Sequence, residues 1–189
     1  MRARGFTLVE LLISASIFTV VASSGFPVLY SMLQQQRLHT ASYTFTSALA
    51  TARIEAVKNS RPATLCVSID GITCEEDSGD WEQGFLVYID ENRNGRLDER
   101  ERISQYVEGF KGGATIRSAA PGNLITYKPD GSSKFQGIFN VCIDGEANHG
   151  RAINLSVTGR TDIRSGADQC PHAFSGTIAA QDSNEPGNA

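Results

Sequence analysis

The sequence predicts an α+β fold, with one long N-terminal helix packed on an antiparallel β-sheet domain. Three observations carry this. Phe6 to Asn59 is a run of helix formers, apolar in its first half and carrying apolar residues at helical spacing in its second. From Ser60 onward the chain divides into short β-like runs. Tight-turn dipeptides separate those runs with no helical stretch between them, and strands joined this way pair antiparallel. The chain therefore divides into a short basic lead at 1–5, a helix at 6–59 whose part 6–30 is the apolar portion, and a globular β-rich domain at 60–189.

Composition bounds the answer further. A chain of 189 residues supports one domain with a core but not comfortably two. Seventeen Lys and Arg stand against 21 Asp and Glu, a net charge of −4, which excludes a protein that coats nucleic acid generically. Hydrophobic residues at 40% and charged residues at 20% exclude disorder.

The helix is read from its N-terminus. Met1–Gly5 carries only Arg2 and Arg4 as charges, and Phe6–Tyr30 follows as an apolar run. A basic lead before such a run marks an exported or membrane-anchored segment with a cytoplasmic N-terminus. At ~1.5 Å per residue the run is long enough to cross a bilayer once. Glu10 lies one turn inside it, where a carboxylate costs a few kcal/mol in lipid unless paired, so its default reading is functional. No A-x-A cleavage site follows the run; the small residue, Gly5, precedes it. Beyond Tyr30, apolar residues at Leu33, Leu38, Ala41, Phe45, Leu49, Ala52 and Ala56 continue one helical face. Pro27, beside Gly25, predicts a kink or local melting, because proline removes a backbone bond and crowds the preceding turn. Ser60-Arg61-Pro62 ends the helix.

Seven strands are expected: Ala63–Ile69, Gly84–Ile89, Arg102–Val107, Ala114–Arg117, Leu124–Tyr127, Gly137–Ile143 and Arg151–Val157. Asp70-Gly71, Asn94-Gly95, Pro121-Gly122, Asp130-Gly131 and Asp144-Gly145 supply the turns. The polar stretch Gln181–Ala189 is expected to fray. Four cysteines in an exported domain favour disulfides, and three connectivities exist. The nearest-neighbour scheme is expected, with Cys66–Cys74 closing the loop over Asp70-Gly71 and Cys142–Cys170 fastening the C-terminal segment to a strand. A zinc site is the rival, but no C-x-x-C pair is present.

Gly5-Phe6-Thr7-Leu8-Val9-Glu10 resembles the class III signal of type IV pilins and type II secretion pseudopilins. The resemblance implies that residues 1–5 are a prepilin leader. A prepilin peptidase would cut between Gly5 and Phe6 and methylate the new N-terminus at Phe6. Glu10 would pair with the N-terminal ammonium of a neighbouring subunit, and pairing relieves two charges that lipid will not tolerate singly. Pro27 matches a proline common in pilins. Further along, Trp81-x-x-Gly84-Phe85, then Tyr88-Ile89-Asp90-x-Asn92-x-Asn94-Gly95, Cys142, Gly150-Arg151 and Leu155-Ser156-x-x-Gly159-Arg160 resemble the GspH/FimT/FimU group of minor pilins and pseudopilins. Implied partners are major and minor pilins, the peptidase and an inner-membrane assembly platform. The implied location is the inner membrane with a periplasmic domain, then a pilus or pseudopilus fibre, at or near its tip. The type IV pilus is favoured over the secretion system. Removing the leader would leave 15 basic against 21 acidic residues, a net charge of −6.

Two ligand readings accompany this. Asp90, Asn92, Asn94, Gly95, Asp98 and Glu101 fit positions 1, 3, 5, 6, 9 and 12 of an EF-hand calcium loop. A strand precedes the loop where a helix belongs, and Arg93, Arg96 and Arg100 dilute its charge, so a hairpin turn with Asp and Asn capping backbone groups is the alternative. DNA-binding members of the resembled group carry a G-R-x-R element where this chain has Gly159-Arg160-Thr161-Asp162-Ile163-Arg164. Arg160 carries over, Asp162 replaces the second arginine and would repel phosphate, and Arg164 and Arg151 are nearby substitutes. A solvated surface or a subunit contact is the alternative there. No G-x-S-x-G, phosphate loop or H-E-x-x-H occurs, and His39, His149 and His172 have no recognisable partner spacing, so an enzyme is not expected.

Overall fold

The computed structural model describes residues 7–75, 79–118, 123–143, 145–168 and 170, with backbone alone at 21–28 and 146–149. Helix α1 runs Leu8–Asn59. It is followed by β1 (Ala63–Val67), a 3₁₀ turn at Trp81–Gln83, β2 (Gly84–Ile89), β3 (Arg102–Glu108), β4 (Ala114–Ser118), β5 (Leu124–Tyr127), β6 (Gly137–Ile143), β7 (Glu146–Leu155) and β8 (Thr161–Ser165). The α+β expectation therefore holds. Thr7 caps α1, accepting the Glu10 N–H at 3.3 Å, and Ser60 ends it in the left-handed region at φ 52°. The helix is continuous through Gly25 and Pro27, so the local melting expected there does not occur in the subunit. At ~1.5 Å per residue it is roughly 80 Å long.

Two four-stranded antiparallel sheets share the helix. One has the order β3-β2-β1-β5, the other β4-β6-β7-β8. Leu38, Ala41, Phe45, Leu49, Ala52 and Ala56 form the buried stripe of α1. They meet Leu65, Val67, Phe85 and Val87 of the first sheet and Phe139, Val141, Ile153 and Leu155 of the second. Phe45 is central, with ring centroids 5.4 Å from Trp81, 5.5 Å from Phe85 and 5.0 Å from Phe139. β1 and β2 are buried on both faces, because Cys66, Leu86 and Tyr88 on the far face are covered by Cys74 and Leu97 from two loops.

Several strand ends differ from expectation: β3 and β4 each run one residue further, and β7 starts at Glu146 instead of Arg151. β1 stops at Val67, because Ser68 and Asp70 turn the chain through side-chain bonds to the 71–73 amides. β7 stops at Leu155, and Val157 belongs to the turn that launches the unforeseen β8. The turns expected at Pro121-Gly122 and Asp144, and the tail Gln181–Ala189, lie outside the described residues.

Candidate functional site

The N-terminal rod is the most unusual surface of the molecule. Leu8, Val9, Leu11, Leu12, Ile13, Ile17, Phe18 and Val20 are all more than half exposed, because no part of the globular domain reaches them. Hydroxyls within this apolar run are satisfied inside the helix. Ser14 donates to the Glu10 carbonyl, Ser16 to Ile13 at 2.8 Å, and Thr19 to Ala15 and Ser16 at 3.0 and 2.8 Å. Internal pairing of this kind lets polar side chains sit on an apolar rod. Glu10 is exposed in the first turn, where the helix dipole favours a carboxylate. The cap at Thr7 escaped the sequence reading, although T-x-x-E is a legible capping signal at Thr7–Glu10. Gly5 and Phe6 lie outside the described residues, and Pro27 is described in backbone only. Among the described residues, no helix is long and apolar enough to cross a membrane.

Both expected disulfides are present. Cys66–Cys74 closes the loop after β1, and Cys142–Cys170 fastens the chain beyond β8 to β6. Asp168 adds a second tie across this face, its N–H donating to Asn140 Oδ1 at 3.1 Å.

In the 90–101 loop the candidate ligand oxygens are engaged within the loop. Asp90, fully buried, accepts the N–H groups of Asn94 at 3.1 Å and Gly95 at 2.9 Å. Asn92 and Asn94 donate their amides to Asp98 Oδ2 at 2.6 and 2.7 Å. Glu101 accepts from the Glu91 and Asp98 amides at 2.9 and 3.3 Å. The oxygens expected to face an ion thus face the loop's own N–H groups, which makes the loop a self-capped turn. No set of three or more His, Cys, Asp or Glu among the described residues is placed to hold a metal. Burial raises the Glu101 carboxyl above its usual range, opposed by the backbone N–H groups that favour its ionised form. Tyr88, buried beneath the loop, is pushed up to about 12, mainly by burial, with the Asp90, Glu101 and Asp98 charges adding to it.

The three arginines of the DNA reading are used separately. Arg151, on β7, lies over the Tyr43 ring at 5.8 Å from its centroid, and Tyr43 stacks on His39 at 4.2 Å. Arg164 is paired with Asp162 on the same outward face of β8, Nε to Oδ2 3.2 Å. Arg160 is exposed on the β7–β8 turn. There Ser156 receives the Gly159 and Arg160 amides on its carbonyl and hydroxyl oxygens, at 2.9 and 3.2 Å. His149 has no described side chain, and His172 lies outside the described residues.

Comparison with known proteins agrees with this geometry. No curated protein matches the chain in sequence. Two crystal forms of the type IV minor pilin FimU from Pseudomonas aeruginosa share the fold. The first is 19% identical with a TM-score of 0.57, covering 74% of this chain and 99% of the crystallised FimU chain. The second is 20% identical with a TM-score of 0.54, covering 71% and 100%. The prokaryotic N-terminal methylation motif matches residues 1–26, over the exposed rod and its leader. The model of the type II transport protein GspH matches residues 41–159, from the buried stripe of α1 to the β7–β8 turn. With more than half its length matched, the chain belongs to the GspH family, the group of minor pilins and pseudopilins.

Proposed function

We propose that this chain is a minor pilin of a type IV pilus that helps to prime assembly or cap the fibre tip. It is made as a precursor in the inner membrane, with the apolar half of α1 in the bilayer and the globular domain in the periplasm. Prepilin peptidase cuts between Gly5 and Phe6, and Phe6 is N-methylated. The assembly platform then moves the subunit into a fibre of major and minor pilins, where Glu10 pairs with a neighbour's N-terminal ammonium. One observation carries this reading: an acidic side chain at the head of a rod whose apolar side chains the subunit's own domain leaves uncovered. Such a rod is stable only in lipid or among other helices, and a carboxylate there requires a cationic partner.

The test is incorporation. Gly5→Ala should leave the precursor at full length, and Glu10→Ala should be processed yet depleted from sheared fibres. Normal fibre content of the Glu10→Ala protein would overturn the role assigned to that carboxylate. The family model's description as a type II transport protein favours a second reading, a secretion pseudopilin. Which fibre the protein co-purifies with separates the two.

A further inference from the structure

Each sheet ends in two edge strands, β3 and β5 in the first and β4 and β8 in the second. An edge strand offers unpaired N–H and C=O groups to any chain that can lie beside it, so folded domains cover or blunt their edges. Three of the four are dealt with here. Residues 132–134 lie along β5: the Lys134 N–H donates to the Thr126 carbonyl and the Lys128 N–H to the Ser132 carbonyl, both at 2.8 Å, and Ser133 bridges Tyr127. The 3₁₀ turn closes β4, where the Glu82 carboxylate accepts the Ile116 N–H at 3.2 Å. β8 is five residues long and carries the Asp162–Arg164 pair.

β3 is the exception. It is seven residues long and exposed over most of its length, and among the described residues its backbone bonds only to β2. Between Arg102 and Glu108 its sequence is Ile-Ser-Gln-Tyr-Val, without the charge or proline that guards an open edge. Ser104 bulges between the Val87↔Gln105 and Tyr88↔Ile103 pairs, which leaves Gln105–Glu108 as the regular stretch, roughly 13 Å at ~3.3 Å per residue. The strand is also held in place. Arg102 reaches Glu55 at 3.4 Å and Asn59 at 3.0 Å on α1, and Tyr106 donates its hydroxyl to the Ile69 carbonyl at 2.8 Å. An edge fixed in advance loses little freedom when a second strand joins it.

We propose that the β3 edge takes up an extended strand of a neighbouring subunit of different sequence, running antiparallel to β3. The inference rests on the fibre reading and deepens it by naming the contact. In a fibre the rods run the same way, so a neighbour of this fold placed against β3 presents its edge at the β5 position. With the order β3-β2-β1-β5 and every pair antiparallel, that position runs opposite to β3. This is the direction that extends an antiparallel sheet by strand addition.

A second copy of this chain does not fit the edge. Its own β5 is already covered by residues 132–134. Its β3 could pair antiparallel only about a two-fold axis perpendicular to the sheet. The two α1 helices, which lie against the sheets' inner faces, would then point in opposite directions, and one membrane or one fibre cannot hold both. One open edge and one closed edge thus admit a single neighbour and stop there, which suits a minor subunit.

The experiment uses the full chain in cells that assemble the fibre. Photoreactive benzoylphenylalanine replaces Tyr106 in one sample and Glu108 in another; the Cys66–Cys74 bridge still closes the loop that Tyr106 braces. After irradiation, sheared fibres are analysed by mass spectrometry. The expected product joins this chain to a fibre subunit of different sequence. Moving the label from Tyr106 to Glu108 should move the attachment two residues towards the partner's N-terminus, as antiparallel pairing demands. Ile103→Lys, a guard charge on the edge, should lower the yield roughly fivefold, the upper end for one cross-strand pair. Val157→Lys, the same charge at an exposed valine on the β7–β8 turn, should leave it unchanged. The register shift decides the matter if Ile103→Lys fails to fold. Fibre content is measured on the same samples. No adduct at normal fibre content, adducts only between copies of this chain or with a protein outside the fibre, or an attachment that does not shift with the label would overturn the strand pairing and leave the fibre reading intact. Absence of the unlabelled chain from fibres would overturn the fibre reading, and the pairing with it.

Discussion

Gly159 and Gly131 touch so closely that a β-carbon on Gly159 would lie 2.1 Å from the Gly131 carbonyl oxygen. Gly159 also adopts φ +76°, a conformation that glycine adopts at no steric cost. The contact locks the β7–β8 turn against the hairpin after β5 and leaves Arg160 outward. The Gly159-Arg160 pair, read from the sequence as one motif, is thus a structural glycine followed by an exposed arginine.

Gly159→Ala should therefore destabilise the domain by about 2 kcal/mol or more, since both the backbone conformation and the space oppose a side chain. Arg160→Ala should change stability by no more than ~0.5 kcal/mol, as surface substitutions usually do. Urea denaturation of both variants checks the pair. Equal losses would show that the arginine, too, is structural.

Arg117 holds the 3₁₀ turn to β4. Its guanidinium bonds Asp80 at 3.0 Å and also Glu82, whose carboxylate accepts the Ile116 N–H at 3.2 Å. The turn carries Trp81, fully buried and edge-on to Phe45 and Phe139. Arg117→Ala leaves the half-buried Glu82 carboxylate without its cation, which costs on the order of 1–3 kcal/mol. Trp81 is the only tryptophan, so its fluorescence reports on this site alone. The variant should unfold at a lower temperature and admit more acrylamide to Trp81 in the native state. A native quenching rate equal to that of the parent would mean that the clamp does not position the turn.

The rod, its end at Ser60-Arg61-Pro62 and seven of the strands were legible because each rests on a local rule: apolar period, a proline stop, turn dipeptides. The disulfides were legible from cysteine spacing, since both bridges join neighbours in sequence. What escaped depends on contacts distant in the chain. β8, Thr161-Asp-Ile-Arg-Ser, has one apolar residue, Ile163, which pairs with Ile153 and packs on the core, so no alternation announces it. The Asp and Asn offsets that hold an ion in a calcium loop also cap backbone amides. Composition at those offsets does not separate the two outcomes, and in the folded loop Asp90 and Asp98 accept from the loop's own N–H groups.

Asp70 gives the domain a pH dependence of defined sign. Its carboxylate accepts the Thr73 and Ile72 N–H groups at 2.8 Å each, the Thr73 hydroxyl at 2.8 Å and the Ser68 hydroxyl at 3.2 Å. The backbone bond from Thr73 is the largest cause, followed by that from Ile72, and together they hold the carboxyl well below the usual carboxylate range. A group whose folded pKa lies below its unfolded value of about 3.9 stabilises the fold above that pH. The contribution fades as the pH falls from there towards the folded pKa, where the carboxylate takes up its proton in both states. Asp70→Asn should therefore be less stable than the parent at pH 7, and the difference should narrow below about pH 4. The side chain is exposed, so the effect is small and is best read as a difference in denaturation midpoints at matched ionic strength. A gap between Asp70→Asn and the parent that stays constant from pH 7 to pH 3 would show that the ionised carboxylate is not what the 68–73 turn depends on. The loop would then owe its shape to the Cys66–Cys74 bridge and to the Tyr106 ring packed over Gly71, where an added β-carbon would meet the ring at 2.9 Å.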